Sequence, residues 1–315
     1  MTPPNGGSGR PPSFDLLCWR TGGFTHTLAS GRGKRFLGRI PGQVKENHVS
    51  LDVEAFRENG YAVVRGAVPG TLCEALIVAI GEVSGLDADR PETWYRDPPL
   101  AWDIVPVWGH QGQWDIRQHP ALHRVWSALG GTPTLLVTLD RCRFTPPWRD
   151  TENPPLSLHW DHNPHDPTLR WIQGVVAPRD TPAGAGCFRC VPTLYRTPGA
   201  WMREPILEDG EPSWSPQVDG YEVVEVPAGQ GDLIVWESRM PHANSRNTSD
   251  RPRLACYVSM NPGTPEERGV TAECARSGTC FPAWRAEPGH GHVERWAPPR
   301  LTELGQRLAG LRDWP

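Results

Sequence analysis

The chain has 315 residues, 37% of them hydrophobic, with 36 acidic against 32 basic side chains and a formal charge of -4 at pH 7. That length holds one long β-rich domain or two ordinary ones, and the near-neutral balance supplies no general field to draw in nucleic acid or an anionic membrane. No apolar run approaches a membrane span and no charged-then-apolar leader opens the sequence, so a soluble, cytoplasmic protein with neither nucleic-acid nor membrane partners is expected.

Met1 to Ser13 is rich in Pro, Gly and Ser and reads as a flexible tail, with a single domain over 14–315. Phe14 to Gln43 shows no clear period. Leu51 to Asn59 predicts a short helix stopped by Gly60, then a strand through Tyr61-Ala62-Val63-Val64. Thr71 and Glu74 form a capping-box pattern for a helix to about Ser84 that packs through Leu72, Ala75, Leu76 and Ala79. Between Trp94 and Trp114, four tryptophans among prolines and glycines read as an irregular loop. Pro120 then opens a helix with Leu122, Val125, Trp126 and Leu129 on one face, closed by Gly130-Gly131.

Thr134 to Phe144 reads as one strand whose face turns from Leu135, Val137 and Leu139 to Arg141 and Arg143, as where a strand leaves packed core for a ligand cavity. Further strands are expected at Trp171–Ala177, Cys187–Val191, Tyr221–Val226, Asp232–Trp236 and Arg253–Met260. Short strands joined by Gly- and Pro-containing turns predict a mainly β protein with flanking helices and a double-stranded β-helix, or cupin-like jelly roll, over about 134–262. A helical part precedes this core and a helical extension follows it. In the extension, Thr264-Pro265-Glu266-Glu267 caps one helix, and Leu301, Leu304, Leu308 and Leu311 stripe another.

The chemistry gathers at Leu158-His159-Trp160-Asp161-His162. In an extended strand His159 and Asp161 share a face, which makes two thirds of the two-histidine, one-carboxylate set that holds non-heme Fe(II). His-x-Asp alone is weak; His242, at the end of the apolar strand from Asp232, is the candidate third ligand. Arg253 alternates with Ala255, Tyr257 and Ser259 on a face suited to a polar cavity, where its planar fork can grip a carboxylate. His290-Gly291-His292-Val293-Glu294 has ligand spacing but no downstream partner, and His162 and His165 replace His242 less well. The eight cysteines are scattered and read as free thiols; Cys187-Phe188-Arg189-Cys190 has no second close pair to complete a zinc site.

This pattern resembles the phytanoyl-CoA dioxygenase-like family of Fe(II)- and 2-oxoglutarate-dependent oxygenases: His159, Asp161, His242, and Arg253 eleven residues further on. The likeness runs from Phe56-Arg57-Glu58-Asn59-Gly60-Tyr61 to Gly186-Cys187-Phe188-Arg189-Cys190-Val191-Pro192, after which Thr193-Leu194-Tyr195 replaces the family's usual Gly-Ser-His. The resemblance implies Fe(II), 2-oxoglutarate and O2 as reactants, ascorbate as a stimulant, and succinate and CO2 as products. It also implies that Arg253 pairs with the far carboxylate of 2-oxoglutarate, with Arg143, Asn244 and Gln173 as further co-substrate contacts. Arg141, Trp102 and Trp108 are the substrate-side candidates; for the tryptophans, an outer covering of the barrel is an equal alternative. Retention of Asp161 favours hydroxylation over halogenation, which in this family goes with Gly or Ala there. A free small-molecule metabolite, such as a biosynthetic intermediate, is the expected substrate. A cupin-like isomerase without 2-oxoglutarate and a silent jelly-roll binder are the alternatives.

Overall fold

The computed structural model describes residues 50–97, 99–100, 103–149, 157–161, 171–197, 216, 218–278 and 296–315. The expected tail, the Phe14–Gln43 stretch, Trp102, His162, His165 and the His290–Glu294 group lie outside the described residues.

Helix α1, Val53–Asn59, starts where Asp52 accepts a hydrogen bond from the Ala55 amide and stops at Gly60, whose φ of 75° returns the chain into strand β1, Tyr61–Val64. Helix α2, Gly70–Ser84, corrects one expectation. It begins before Thr71, with Pro69 at the cap position and no side-chain cap, while Glu74 instead accepts from the Gln230 side chain at 2.6 Å. Its buried face is Cys73, Leu76, Ala79 and Ile80, so Ala75 is left outside.

The tryptophan-rich stretch is also more regular than a loop. It contains strand β2, Ile104–Val105, and helix α3, Gln111–Arg117, capped by the His110 ring, with Trp94, Trp108 and Trp114 all buried. Burial of these large rings outweighs the turn-forming composition. Helix α4, Pro120–Gly130, follows as expected and ends at Gly131 with φ 70°.

The long strand expected from Thr134 to Phe144 is two short ones, β3 at Leu136–Val137 and β4 at Cys142–Thr145. Between them Asp140 accepts a hydrogen bond from Thr138, and its backbone carbonyl takes Gln113 and Arg117 side chains, each at 2.8 Å. These polar ties pull the chain out of the ladder. The rest of the barrel comprises β5 (Ile172–Val176), β6 (Phe188–Cys190), the short helix α5 (Pro192–Arg196), β7 (Val224–Val226), β8 (Leu233–Glu237), β9 (His242–Asn244), β10 (Arg253–Tyr257) and β11 (Met260–Asn261). Helix α6, Pro265–Ser277, carries the expected capping box of Thr264 and Glu267, and α7, Glu303–Leu308, closes the fold through Leu308.

A six-stranded antiparallel sheet runs β1-β8-β5-β10-β4-β2, and a three-stranded one runs β7-β6-β9. The isolated bridge His159↔His242 extends the smaller sheet by one contact. Val175, Phe188, Cys190, Ile234, Trp236 and Ala255 fill the space between the sheets, and this face-to-face antiparallel pair is a jelly roll. The alternation expected for β10 holds: Ala255 and Tyr257 join this inner layer, whereas Leu254, Cys256, Val258 and Met260 join the larger core shared with the helices.

Trp126 of α4 anchors that helical layer by donating from its indole to the Ile172 carbonyl at 2.8 Å. Its ring covers Gly174, where a Cβ would lie 2.6 Å from the ring and 2.9 Å from the Val258 carbonyl oxygen. Gly174→Ala is therefore expected to destabilise the fold by about 1–3 kcal/mol, read as a lower denaturant midpoint at unchanged slope.

Candidate metal centre

His159, Asp161 and His242 converge, each offering one ligand atom, and these atoms all lie within 4.8 Å of one another. The β-bridge between His159 and His242 is closed by hydrogen bonds from each amide to the other's carbonyl, 3.0 and 3.1 Å, which fixes the imidazoles side by side. Trp160, 1% exposed, anchors the opposite face of the segment by donating to the Arg239 carbonyl at 3.0 Å. Asp161 then points back to the histidines, with its two oxygens 3.4 Å from His159 Nε2 and 3.2 Å from His242 Nε2.

Each imidazole has its Nδ1 beside a backbone carbonyl, Ser157 for His159 at 2.9 Å and Met240 for His242 at 3.0 Å. A carbonyl can only accept, so Nδ1 carries the proton and Nε2 presents its lone pair to the shared point. Burial alone would raise the Asp161 carboxyl, but the charge and hydrogen bonds of His242 and His159 outweigh it and hold the group well below the usual carboxylate range. Burial by itself would lower His159, yet Asp161 draws it above the ordinary imidazole value. The donors are therefore an ionised carboxylate and two imidazoles, which suit a divalent transition metal.

Because His159 holds its proton more tightly than a free imidazole, a metal competes against that proton up to and above the ordinary range near ~6.5. Metal affinity is expected to fall as pH drops through this range, by up to about tenfold per pH unit. Fe(II) titrations between pH 6 and 8 check this.

Gln173 lies beside the triad: its amide nitrogen donates to Asp161 Oδ2 at 2.5 Å and its oxygen accepts from the Trp236 indole at 3.0 Å, so it orients the carboxylate. Gln173→Leu is expected to weaken metal binding by about 10- to 100-fold with the fold retained, measured by metal titration beside circular dichroism.

The second half of the site lies on the large sheet. Arg253 is 6% exposed, and its Nη1 is buried with no hydrogen-bond partner among the described residues. Register sets Arg253 opposite Thr145 and Ala255 opposite Arg143, so both arginines project from the inner face. Gly186, with φ 77°, lets the loop close over Arg253: a Cβ there would approach the Arg253 Cδ to 3.2 Å. Asn244 shares the face of His242 and donates to the Tyr257 hydroxyl at 3.4 Å, which joins the two sheets across the chamber. Burial would raise the Tyr257 phenol, but Arg143 and Arg253 outweigh it and bring the group below its usual value.

Arg143 also acts on His159 and lies within the site's electrostatic reach. Arg141 does not share its strand: the break before β4 places it beside the buried Asp140. Trp108 is 2% exposed, with its carbonyl taken by Arg117 of α3 at 2.5 Å. Two chamber residues were not anticipated as site residues. Tyr257 was visible as a polar residue on the Arg253 face; Asp103 stood in a stretch that offered no periodic signal.

A jelly roll whose smaller sheet presents two imidazoles and a carboxylate to one point defines a non-heme metal enzyme of the facial-triad type. The chain belongs to the phytanoyl-CoA dioxygenase family, whose sequence profile, described as Phytanoyl-CoA dioxygenase (PhyH), matches residues 56–255. It is thereby a 2-oxoglutarate-dependent oxygenase. A protein of Dictyostelium discoideum described as a putative phytanoyl-CoA dioxygenase is 21% identical over 268 residues, 66% of this chain and 74% of that protein. The Ava biosynthesis cluster protein O of Aspergillus versicolor is 25% identical over 167 residues, 47% of this chain and 54% of that one. Among solved structures, GlcNAc Inducible Gene 2 of Candida albicans superposes with a TM-score of 0.62 at 15% identity, covering 84% of this chain and 76% of that one. The epimerase SnoN, in complex with Fe3+, alpha ketoglutarate and nogalamycin RO, gives 0.51 at 18% identity, covering 80% and 95%. At such identities these structures show the shared fold.

Proposed function

We propose that the protein is an Fe(II)- and 2-oxoglutarate-dependent dioxygenase that hydroxylates an unactivated C–H bond of a small-molecule metabolite and releases succinate and CO2. One observation supports the reading: Arg253, with a buried, unpartnered Nη1, acts on Tyr257, whose hydroxyl accepts from Asn244 on the strand that carries His242 of the triad. Neither a metal-dependent isomerase nor a silent binder needs a guanidinium held there. A dicarboxylic acid does, because one end can meet the metal while the other satisfies the arginine.

His159, Asp161 and His242 would hold the iron, and three ligands leave positions open for the co-substrate and oxygen. With 2-oxoglutarate and O2, iron supplies the oxidising power needed to break such a bond. The chain's own contribution is orientation. The carbonyls of Ser157 and Met240 keep both imidazoles in the binding tautomer, Gln173 holds the carboxylate, and Arg253 receives the far end of the oxo acid. Phe188 and Trp236, with ring centroids 5.8 and 5.0 Å from that of His242, keep water from one side of the centre.

The test is succinate formation from 2-oxoglutarate by purified protein with Fe(II) and ascorbate, run with a metabolite screen read by mass. Gain of one oxygen atom supports hydroxylation. SnoN, described as an epimerase, shares the fold, so product of unchanged mass with succinate would move the assignment to a different oxidative outcome on the same centre. Absence of both succinate and iron-dependent binding of the oxo acid would overturn the reading.

A further inference from the structure

Asp103 is the one non-glycine among the described residues with a positive φ, 57°. Strand register explains what the strain accomplishes. β2 pairs with β4 as Ile104↔Arg143 and Val105↔Cys142, so a further step of the ladder sets Asp103 opposite Phe144. Val105, Cys142 and Phe144 all point into the apolar core under the helices. On ordinary extended backbone the Asp103 carboxylate would follow them into that core, where an unpaired charge is prohibitive. The left-handed turn, which Asp tolerates better than most residues, reverses its direction. The carboxyl instead lies beside Thr145 and in the field of Arg143 and Arg253, both on the inner face, although burial outweighs them and leaves the group above its ordinary carboxylate value.

Charge accounting then shows what remains for a ligand. Fe(II), the Asp161 carboxylate, dianionic 2-oxoglutarate and Arg253 sum to zero. Arg143 and Asp103 are left, one of each sign; each feels the other's charge across the chamber without a direct salt bridge among the described residues. Half-buried opposite charges held apart in one chamber are best satisfied by a ligand that inserts its own charges between them.

We propose that Asp103 is a specificity-determining residue and that, together with Arg143, it selects a zwitterionic substrate of amino-acid type, its ammonium on Asp103 and its carboxylate on Arg143. This inference rests on the oxygenase reading and extends it to substrate class. It disfavours a long hydrocarbon chain without charged groups, which would desolvate both side chains and bring neither a charge of opposite sign.

The experiment uses the full-length enzyme with Fe(II) and 2-oxoglutarate under argon. Binding of the oxo acid is measured first, by the visible charge-transfer absorption it forms with iron; failure at that stage removes the oxygenase reading, independently of Asp103. Ligand-observed NMR then compares probes of one carbon skeleton, 5-aminovalerate, valerate and pentylamine. The zwitterion is expected to bind at least tenfold more tightly than either single-charge analogue. Asp103→Asn, which keeps the tolerance for left-handed backbone, is expected to reduce the preference for the zwitterion over valerate below threefold. Asp103→Gly, which removes the strain with the charge, should do the same. Equal binding of valerate and 5-aminovalerate by the native enzyme, or an undiminished preference in Asp103→Asn, would overturn the proposal.

Discussion

Asp161→Asn is expected to abolish succinate formation and to weaken Fe(II) binding by more than about 100-fold, beyond what removal of an outer hydrogen-bond partner costs. The carboxylate lies between the two Nε2 atoms at 3.4 and 3.2 Å and is the one acid in the triad. An amide of the same shape removes the negative charge that offsets the cation and is a weaker metal ligand than a carboxylate. Stability of the metal-free protein should fall as well, because the neighbouring imidazoles favour the ionised Asp161 carboxylate in the folded state and a neutral amide forfeits that contribution. Metal titration and a thermal melt in chelator separate the two effects. Native-like iron affinity in Asp161→Asn would refute the assigned ligand set.

Arg253→Met is expected to raise the KM for 2-oxoglutarate by roughly 30- to 5,000-fold, the cost of deleting one partner from a buried charge pair of about 2–5 kcal/mol. Methionine approximates the aliphatic stem, so Gly186 keeps a packing partner while the fork is lost. Iron binding should survive, because Arg253 makes no contact with the triad that the ligand geometry depends on. The native enzyme should gain about 2.7 kcal/mol of stability at a co-substrate concentration 100-fold over Kd, and Arg253→Met should lose that gain. Arg253→Lys should recover charge but not the two-pronged grip, leaving an intermediate KM. Equal KM values in native and Arg253→Met enzymes would locate the co-substrate elsewhere.

What was legible before folding depended on whether a signal was local. Alternation from Arg253 to Met260 carried the two faces of β10 because a side-chain period of two needs no knowledge of partners. The stop at Gly60 and the box at Thr264 and Glu267 are likewise set within a few residues. The run from Thr134 to Phe144 failed for the converse reason. Its apolar period is continuous, but Gln113 and Arg117, more than twenty residues upstream, capture the Asp140 carbonyl and break the ladder. Trp94, Trp108 and Trp114 were similarly organised by burial, which composition does not encode.

The sequence by itself determined that His159 and Asp161 share a face, that His242 ends an apolar strand and that Arg253 stands among small and hydroxyl-bearing residues. Spacing and residue chemistry suffice for these. Only the tertiary structure decided that the imidazoles are locked by mutual backbone bonds, that Gln173 serves Asp161, and that Asp103 turns away from the helical core into the chamber. Those outcomes depend on strand register and on contacts between residues distant in the chain. A hydrogen bond or a reversed side chain of that kind has no energy until the two sheets have met.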